Sequence, residues 1–479
     1  MIKNLFFVLL LAAQTAFAQI ISKDPSFASN GVSNVANYTL AWNMAQDSNG
    51  SIYSSYSIPN GNETFVYKLT ANGVLDSAFG NNGKIQLPYY TYQCQLKVQP
   101  DGKLVIFGYG NTSGGVSGSS DVWIVYKMLP NGQLDPTFGN NGTSAIPNGI
   151  GSDVNGRSLG LILQNGKIIV HSSTTIYRLN INGSIDTSFG NNGSVTTQGN
   201  FNYGAFVLID NQSNIICISK INSSYGNGVI EKFNPDGQPV TSFGNNGILQ
   251  SNLEFSPLGT ALIDSNNKIV ISKSNSTTNE ILRLNPDGTL DNTFNSALSA
   301  ISPSALAKSI IEKDGYYYIG GNQSSHPYTP YSSDESPAFF TKLTQSGSIA
   351  PDFGYYPDSS FSSVEEMVVN NNSIISNAGG AIVKYLLNTG TLSTVDATKT
   401  GMDISFENPI RQNLVFSTNE KVSKIEIYSP DGKIVKILKD NNTDVSELLK
   451  GIYMAKITFE NGKTTIKKLI KIRRNTDFF

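Results

Sequence analysis

Apolar residues along this chain come in short runs separated by clusters rich in Asn, Gly, Asp, Pro and Ser. In one stretch the order is an apolar run at 160–163, the turn Asn165-Gly166, a run at 167–170, another at 175–179, and then the phrase LNINGSIDTSFGNNG over 179–193. The stretch before it repeats the order: 94–98, the turn Asp101-Gly102, 103–107, 123–128, and then 134–138 within its own phrase. Runs of this length, rich in β-branched and aromatic residues and bounded by Gly-bearing turns, predict β-strands joined by hairpins. Each stretch therefore reads as four short strands, with the phrase expected to supply the last.

The phrase is the clearest internal repeat. Its phenylalanine recurs as Phe27, Phe79, Phe138, Phe189, Phe243, Phe294 and Phe353, at spacings of 52, 59, 51, 54, 51 and 59 residues. Asn285-Pro286-Asp287-Gly288 suits a tight turn, because Pro presets one dihedral, Asn or Asp bonds nearby backbone, and Gly accepts a positive φ. The apolar residue that follows (Leu75, Leu134, Ile185, Leu290) is expected to point inward. The next residue, Asp76, Asp135, Asp186 or Asp291, is expected to accept backbone N–H groups of the following bend. Val240 and Ala350 stand in its place in two copies, so the bend forms without it. The Phe is a large apolar anchor, and FGNNG supplies a second glycine-bearing turn.

The two ends of the repeat array complement each other. Residues 24–32, with Asp24 and Phe27, look like the end of a unit that lacks its beginning, and 361–392 like the beginning of one that lacks its end. A closed ring splits one unit between its termini so that no strand edge is exposed. The expected fold is therefore all-β: a seven-bladed β-propeller with four-stranded blades, its last blade closed by the N-terminal strand, over 19–392. Six and eight blades are the alternatives. Insertions at 111–121 and 322–337 mark variable loops, and His326, Tyr328 and Tyr331 in the second are the candidate contact residues. Tyr53, Tyr56, Tyr67, Tyr89, Tyr90 and Tyr92 are expected to serve packing.

After residue 392 the rhythm stops. A polar linker over 393–404 leads to a second strand-rich domain at 405–472, with runs at 413–417, 422–428, 433–438, 445–448, 452–459 and 464–472, followed by a tail at 473–479. This pattern predicts a small β-sandwich. Residues 401–479 hold 14 Lys and Arg against 10 Asp and Glu, or +4, which leaves −6 for the first 400 to reach the total of −2. So small a net charge argues against a nucleic-acid surface.

The first 18 residues carry Lys3, an apolar run at 5–13, and Ala16-Phe17-Ala18 before Gln19. These are the marks of an export signal cleaved after Ala18, and the run is too short for a transmembrane segment. Cys94 and Cys217 lie two units apart in apolar runs and are expected to be buried free thiols rather than a disulfide framework.

The search for reactive chemistry returns little. His171 and His326 lie in different units without a second ligand at metal spacing, no nucleophile elbow or phosphate cradle occurs, and no cofactor is expected. Glu365-Glu366 are neighbours in sequence, which does not place them across a cleft. An enzyme is not expected.

Two resemblances follow from these residues. The L-N-x-x-G-x-L-D-x-x-F-G-x-N-G phrase resembles the delta-60 repeat of bacterial surface and secreted proteins, which implies a β-propeller. The second domain resembles the type A sorting domain of type IX secretion cargo in Bacteroidetes, through Asn408-Pro409, residues 424–428, Asp431-Gly432-Lys433, residues 445–448, Gly451-Ile452-Tyr453, and the closing Lys467-Lys468-Leu469-Ile470-Lys471. That resemblance implies the type IX machinery as partner, outer-membrane passage, and release or attachment at the cell surface. The expected function is an exported, non-enzymatic binding or structural module with a glycan or surface-protein ligand. A lectin-like glycan or peptide binder and a polysaccharide hydrolase or lyase are the alternatives.

Overall fold

A computed structural model describes residues 21–35, 43–58, 63–111, 121–146, 158–172, 174–201, 205–221, 227–254, 259–274, 279–298, 305–323 and 337–387 of the first part of the chain. Of the second part it describes 404–406, 410, 412–418, 421–429, 434–439, 443–449, 451–461 and 464–471. These residues fall into two compact units, one spanning Ile20–Thr389 and one containing the second part.

In the first unit the described strands form seven sheets in chain order. The first is typical: Met44–Gln46, Ile52–Ile58, Glu63–Leu69 and Lys84–Gln86 pair antiparallel with their chain neighbours. The second repeats this with Tyr90–Val98, Leu104–Asn111, Asp121–Met128 and Thr143–Ala145. In the fourth, Ser158–Leu159 adds parallel to the first strand, and the fifth has three strands among the described residues. The seventh is built from Val364–Val369, Ser373–Ala378 and Ala381–Leu387, completed by two strands from the N-terminus. Ile21–Lys23 pairs with Leu387 to Tyr385, and Val32–Ser33 with Val383 and Ile382.

Second strands such as Ile215–Lys220 and Ser373–Ala378 are buried at every position. The reason is that each sheet packs on a neighbour through both faces, so the alternation of a half-exposed strand is lost. One apolar core joins the first sheet to the second through Phe79, Leu96 and Tyr126. Others join each following pair. A further core joins the seventh to the first through Phe27, Met44, Tyr67, Ile375 and Ile382.

The phrase departs from expectation in one respect. Its apolar residue makes only a single bridge to the third strand, as Leu75 does with Leu69 and Leu134 with Met128. The fourth strand lies beyond FGNNG, at Lys84–Gln86, Thr143–Ala145 and Ser194–Thr196. Two consecutive tight turns reverse the chain within the phrase, which leaves it no extended backbone to pair. Leu290, expected inside, is 52% exposed, whereas Leu75, Leu134 and Ile185 are partly buried against the cores.

In the second unit, Ile434–Lys439, Val422–Tyr428, Gly451–Phe459 and Thr464–Lys471 make one antiparallel sheet, and Ile404–Phe406 pairs with Phe416–Thr418. Residues 445–448, expected as a strand, form a turn. Asp444 Oδ1 accepts the Ser446 N–H at 2.8 Å while Val445 and Leu448 enter the core. Their apolar character reflects burial from a turn rather than pairing.

Candidate functional site

The first strand of every sheet in the larger unit borders a common cavity of about 240 Å³, and all seven sheets contribute to its wall. The third, fourth and fifth sheets supply an apolar arc that includes Leu161, Ile162, Phe206, Leu208 and Leu262. The sixth, seventh, first and second supply Lys308, Ser309, Glu365, Glu366, Asn43, Gln95 and Lys97.

The polar arc depends on irregular strands. The pairing register shifts between Ala307 and Ser309 and again between Val364 and Glu366. A bulge breaks the two-residue alternation of side chains, and Lys308 and Ser309, and likewise Glu365 and Glu366, all border the cavity where these shifts fall. Adjacency in sequence had set Glu365 and Glu366 aside as a site; both border the cavity, beside a register shift that a strict alternation pattern does not reveal.

Most of these groups stitch neighbouring inner strands together. Asn43 Nδ2 donates to Cys94 O at 2.7 Å, and Gln95 Oε1 accepts the N–H groups of Gly160 and Leu161 at 2.9 and 2.8 Å. The Met367 N–H donates to Ser309 Oγ at 3.2 Å and the Met44 N–H to Glu366 Oε2 at 2.6 Å. Lys308 Nζ lies 2.8 Å from Glu365 Oε1. Hydrogen bonds to otherwise buried backbone groups fix the spacing of the strands and with it the shape of the cavity.

The repeated phrase forms the joint between sheets. The N–H after six of the seven phrase Phe residues donates to the next unit's first turn: Ala28 to Asn72 O, Gly80 to Asn131 O, Gly139 to Asn182 O, Gly190 to Asp236 O, Gly244 to Asp287 O and Asn295 to Ser346 O, all at 2.7–2.9 Å, whereas Gly354 donates to Ala350 O of its own phrase at 3.1 Å. Five of these rings pack on the glycine of that turn, Phe138 on Gly183 and Phe189 on Gly237 among them, where a β-carbon would lie about 3.0 Å from the ring. Phe79, Phe138, Phe189, Phe243 and Phe353 are buried and Phe294 is half-buried.

The phrase aspartates bond both the bend that follows them and a neighbouring cation. Asp135 Oδ1 accepts the Thr137 N–H and hydroxyl, and its Oδ2 meets Lys103 Nζ at 2.9 Å. Desolvation raises its pKa, but the Thr137 hydroxyl, Lys103 and the Thr137 N–H together outweigh that and hold it at about 2. Asp291, bonded first to Lys268 and then to Thr293, is held well below the usual carboxylate range. Asp186, opposed by desolvation but bonded by Lys167, Ser188 and Arg178, is too. Asp76 pairs with Lys68, and Asp24 of the N-terminal arm with Lys384.

Sequence reasoning missed the basic residue on the third strand of every unit: Lys68, Lys127, Arg178, Lys232, Arg283, Lys342 and Lys384. Its signal was present, a Lys or Arg eight residues before the aspartate position in each complete copy. Lys127, Arg178, Lys232, Arg283 and Lys384 lie over the phrase Phe rings at 4.7–5.9 Å, a cation–π contact. Where Val240 and Ala350 replace the aspartate, Lys232 pairs with Asp210 at 3.0 Å and Lys342 with Asp352 at 2.8 Å. The cation is thereby neutralised from another position.

Tyr53, Tyr56, Tyr67 and Tyr90 are buried, and His171 is fully buried among Phe107, Trp123 and Phe201. Burial alone lowers the His171 pKa to about 3, so it is neutral. Cys94 and Cys217 are buried free thiols. Among the described residues no three His, Cys, Asp or Glu side chains converge as metal ligands, and no helix is long and apolar enough to cross a membrane.

In the second unit Tyr453 is buried and its hydroxyl donates to Leu449 O at 2.9 Å; Gly451 pairs with Lys471. Lys471 is buried, and desolvation lowers its pKa against the pull of Asp444. Lys467 and Lys468 pair with Ala455 and Met454. Ala16, Ala18, Gln19, His326, Tyr328, Tyr331, Asn408, Pro409, Asp431 and Gly432 lie outside the described residues.

Residues 406–472 match the secretion system C-terminal sorting domain. Residues 99–138, 163–189 and 265–294 match a β-propeller domain of unknown function, DUF5122. No curated protein matches. Among solved structures, the extracellular domain of a putative hybrid two-component system from B. thetaiotaomicron is similar at 11% identity and a TM-score of 0.40, over 95% of this chain; this chain spans 58% of that one. A PQQ-bound aldose sugar dehydrogenase from Streptomyces coelicolor is similar at 10% identity and 0.39, over 74% of this chain and 96% of that one. A PL25 ulvan lyase is similar at 12% and 0.38, over 76% and 96%. The chain thus carries a β-propeller-like N-terminal region and a C-terminal type IX sorting domain, the mark of a secreted protein.

Proposed function

We propose that this chain is an exported, non-enzymatic seven-bladed propeller of delta-60 repeats, acting as a binding or structural module at the cell surface or in the medium. The observation that carries this reading is the succession of seven sheets, each packed on the next and the seventh on the first, around one cavity. The non-enzymatic part is supported by how the wall's polar groups are used: Asn43, Gln95, Ser309 and Glu366 each bond backbone of an adjacent strand. The signal at 1–18, cleaved after Ala18, takes the chain across the inner membrane, and the sorting domain takes it across the outer one.

Removing 405–479 tests the address. The truncated chain is expected to fold and accumulate in the periplasm, as seen by fractionation and limited proteolysis. Its normal appearance in the medium would remove the sorting role from the second domain.

A further inference from the structure

The cavity wall carries one charge that is not used for stitching. Lys308 and Glu365 neutralise each other at 2.8 Å, and Glu366 receives the Met44 N–H. Lys97, on the strand Tyr90–Val98, is exposed and makes no ion pair or hydrogen bond among the described residues. Its strand is next in order to the apolar arc that begins at Leu161 and Ile162, whereas Glu365 and Glu366 lie on the far side of the first sheet. An ammonium group at one end of an apolar wall favours a molecule with an anionic head and an apolar body. The volume, about 240 Å³, is below the span of drug-sized pockets and suits a small molecule.

We infer that the cavity binds a small amphiphilic monoanion, with its carboxylate on Lys97 and its apolar tail against Leu161, Ile162, Phe206 and Leu262. This deepens the binding-module reading and rests on it. A neutral head would leave Lys97 without a counter-charge, and an ammonium head would face it directly.

Hexanoate, hexanol and hexylamine, titrated into the purified mature chain by calorimetry at low salt, separate these cases. Saturable hexanoate binding is expected, about tenfold tighter than that of hexanol or hexylamine, as one charge-assisted contact implies. Lys97→Met is expected to abolish that preference while leaving hexanol unchanged, and 0.5 M salt to weaken hexanoate alone. Ala261→Phe, which fills the cavity from the apolar arc, is expected to block all three. Thermal unfolding of both variants checks that they fold. Equal or tighter binding of hexylamine, unchanged hexanoate affinity in Lys97→Met, or no saturable binding of any probe overturns the inference. Export of the full chain is measured separately, so a failed titration with normal secretion sinks this ligand class and leaves the sorting role standing.

Discussion

The ring of Phe27 lies so close to Gly73 that a β-carbon on that glycine would sit 2.6 Å from it. The contact joins the N-terminal arm to the first complete unit and is reinforced by the Ala28 N–H bond to Asn72 O at 2.8 Å. The arm is therefore held from two sides, by the seventh sheet through its strands and by the first through this ring.

Gly73 and Gly166 both have a φ of +79°, but Gly166 has nothing within 4 Å of its missing β-carbon. Ala at 166 carries only the backbone strain, about 1 kcal/mol. Gly73→Ala adds a clash with Phe27 and is expected to cost roughly 2–4 kcal/mol. Urea denaturation of the two variants gives the difference directly; equal costs would mean that the Phe27 contact contributes nothing.

Phe27 is 1% exposed although it lies near the start of the chain. Phe27→Ala is expected to destabilise the larger unit by about 3–5 kcal/mol, as for a core aromatic, and comparably to Phe138→Ala. A loss below about 1 kcal/mol in thermal or urea unfolding would identify the arm as an ordinary fraying terminus.

Asp135 sets a pH window. Its folded pKa of about 2 lies below the ordinary 3.8, so its contribution is fully present above about pH 4 and is lost as pH falls through about 2. Asp135→Asn keeps an acceptor for Thr137 but loses the ion pair with Lys103, and at pH 7 should cost roughly 1–3 kcal/mol. The gap between the parent and variant stabilities should close between pH 4 and 2. A gap that stays constant through that range would show that Asp135 is not ionised against Lys103.

The amino-acid sequence by itself determined what a few adjacent residues can encode. Turn chemistry at Asn285–Gly288, the repeated Phe, the apolar runs and the motifs of residues 406–472 each act over one turn or strand, so they read directly as β-units and a sorting domain. It also showed that the segments at 24–32 and 361–392 complement each other, and the pairing of Ile21–Lys23 with Leu387 to Tyr385 follows that pattern. The tertiary structure decided what depends on residues far apart in the chain. The fourth strand falls after the phrase, because two tight turns leave the phrase nothing to pair. Lys232 and Lys342 find Asp210 and Asp352 where their units lack the phrase aspartate. Glu365 and Glu366, neighbours in sequence, share a cavity wall that residues from all seven sheets complete. A cavity assembled from one strand of each of seven sheets has no local signature, because its parts come together only when the sheets pack.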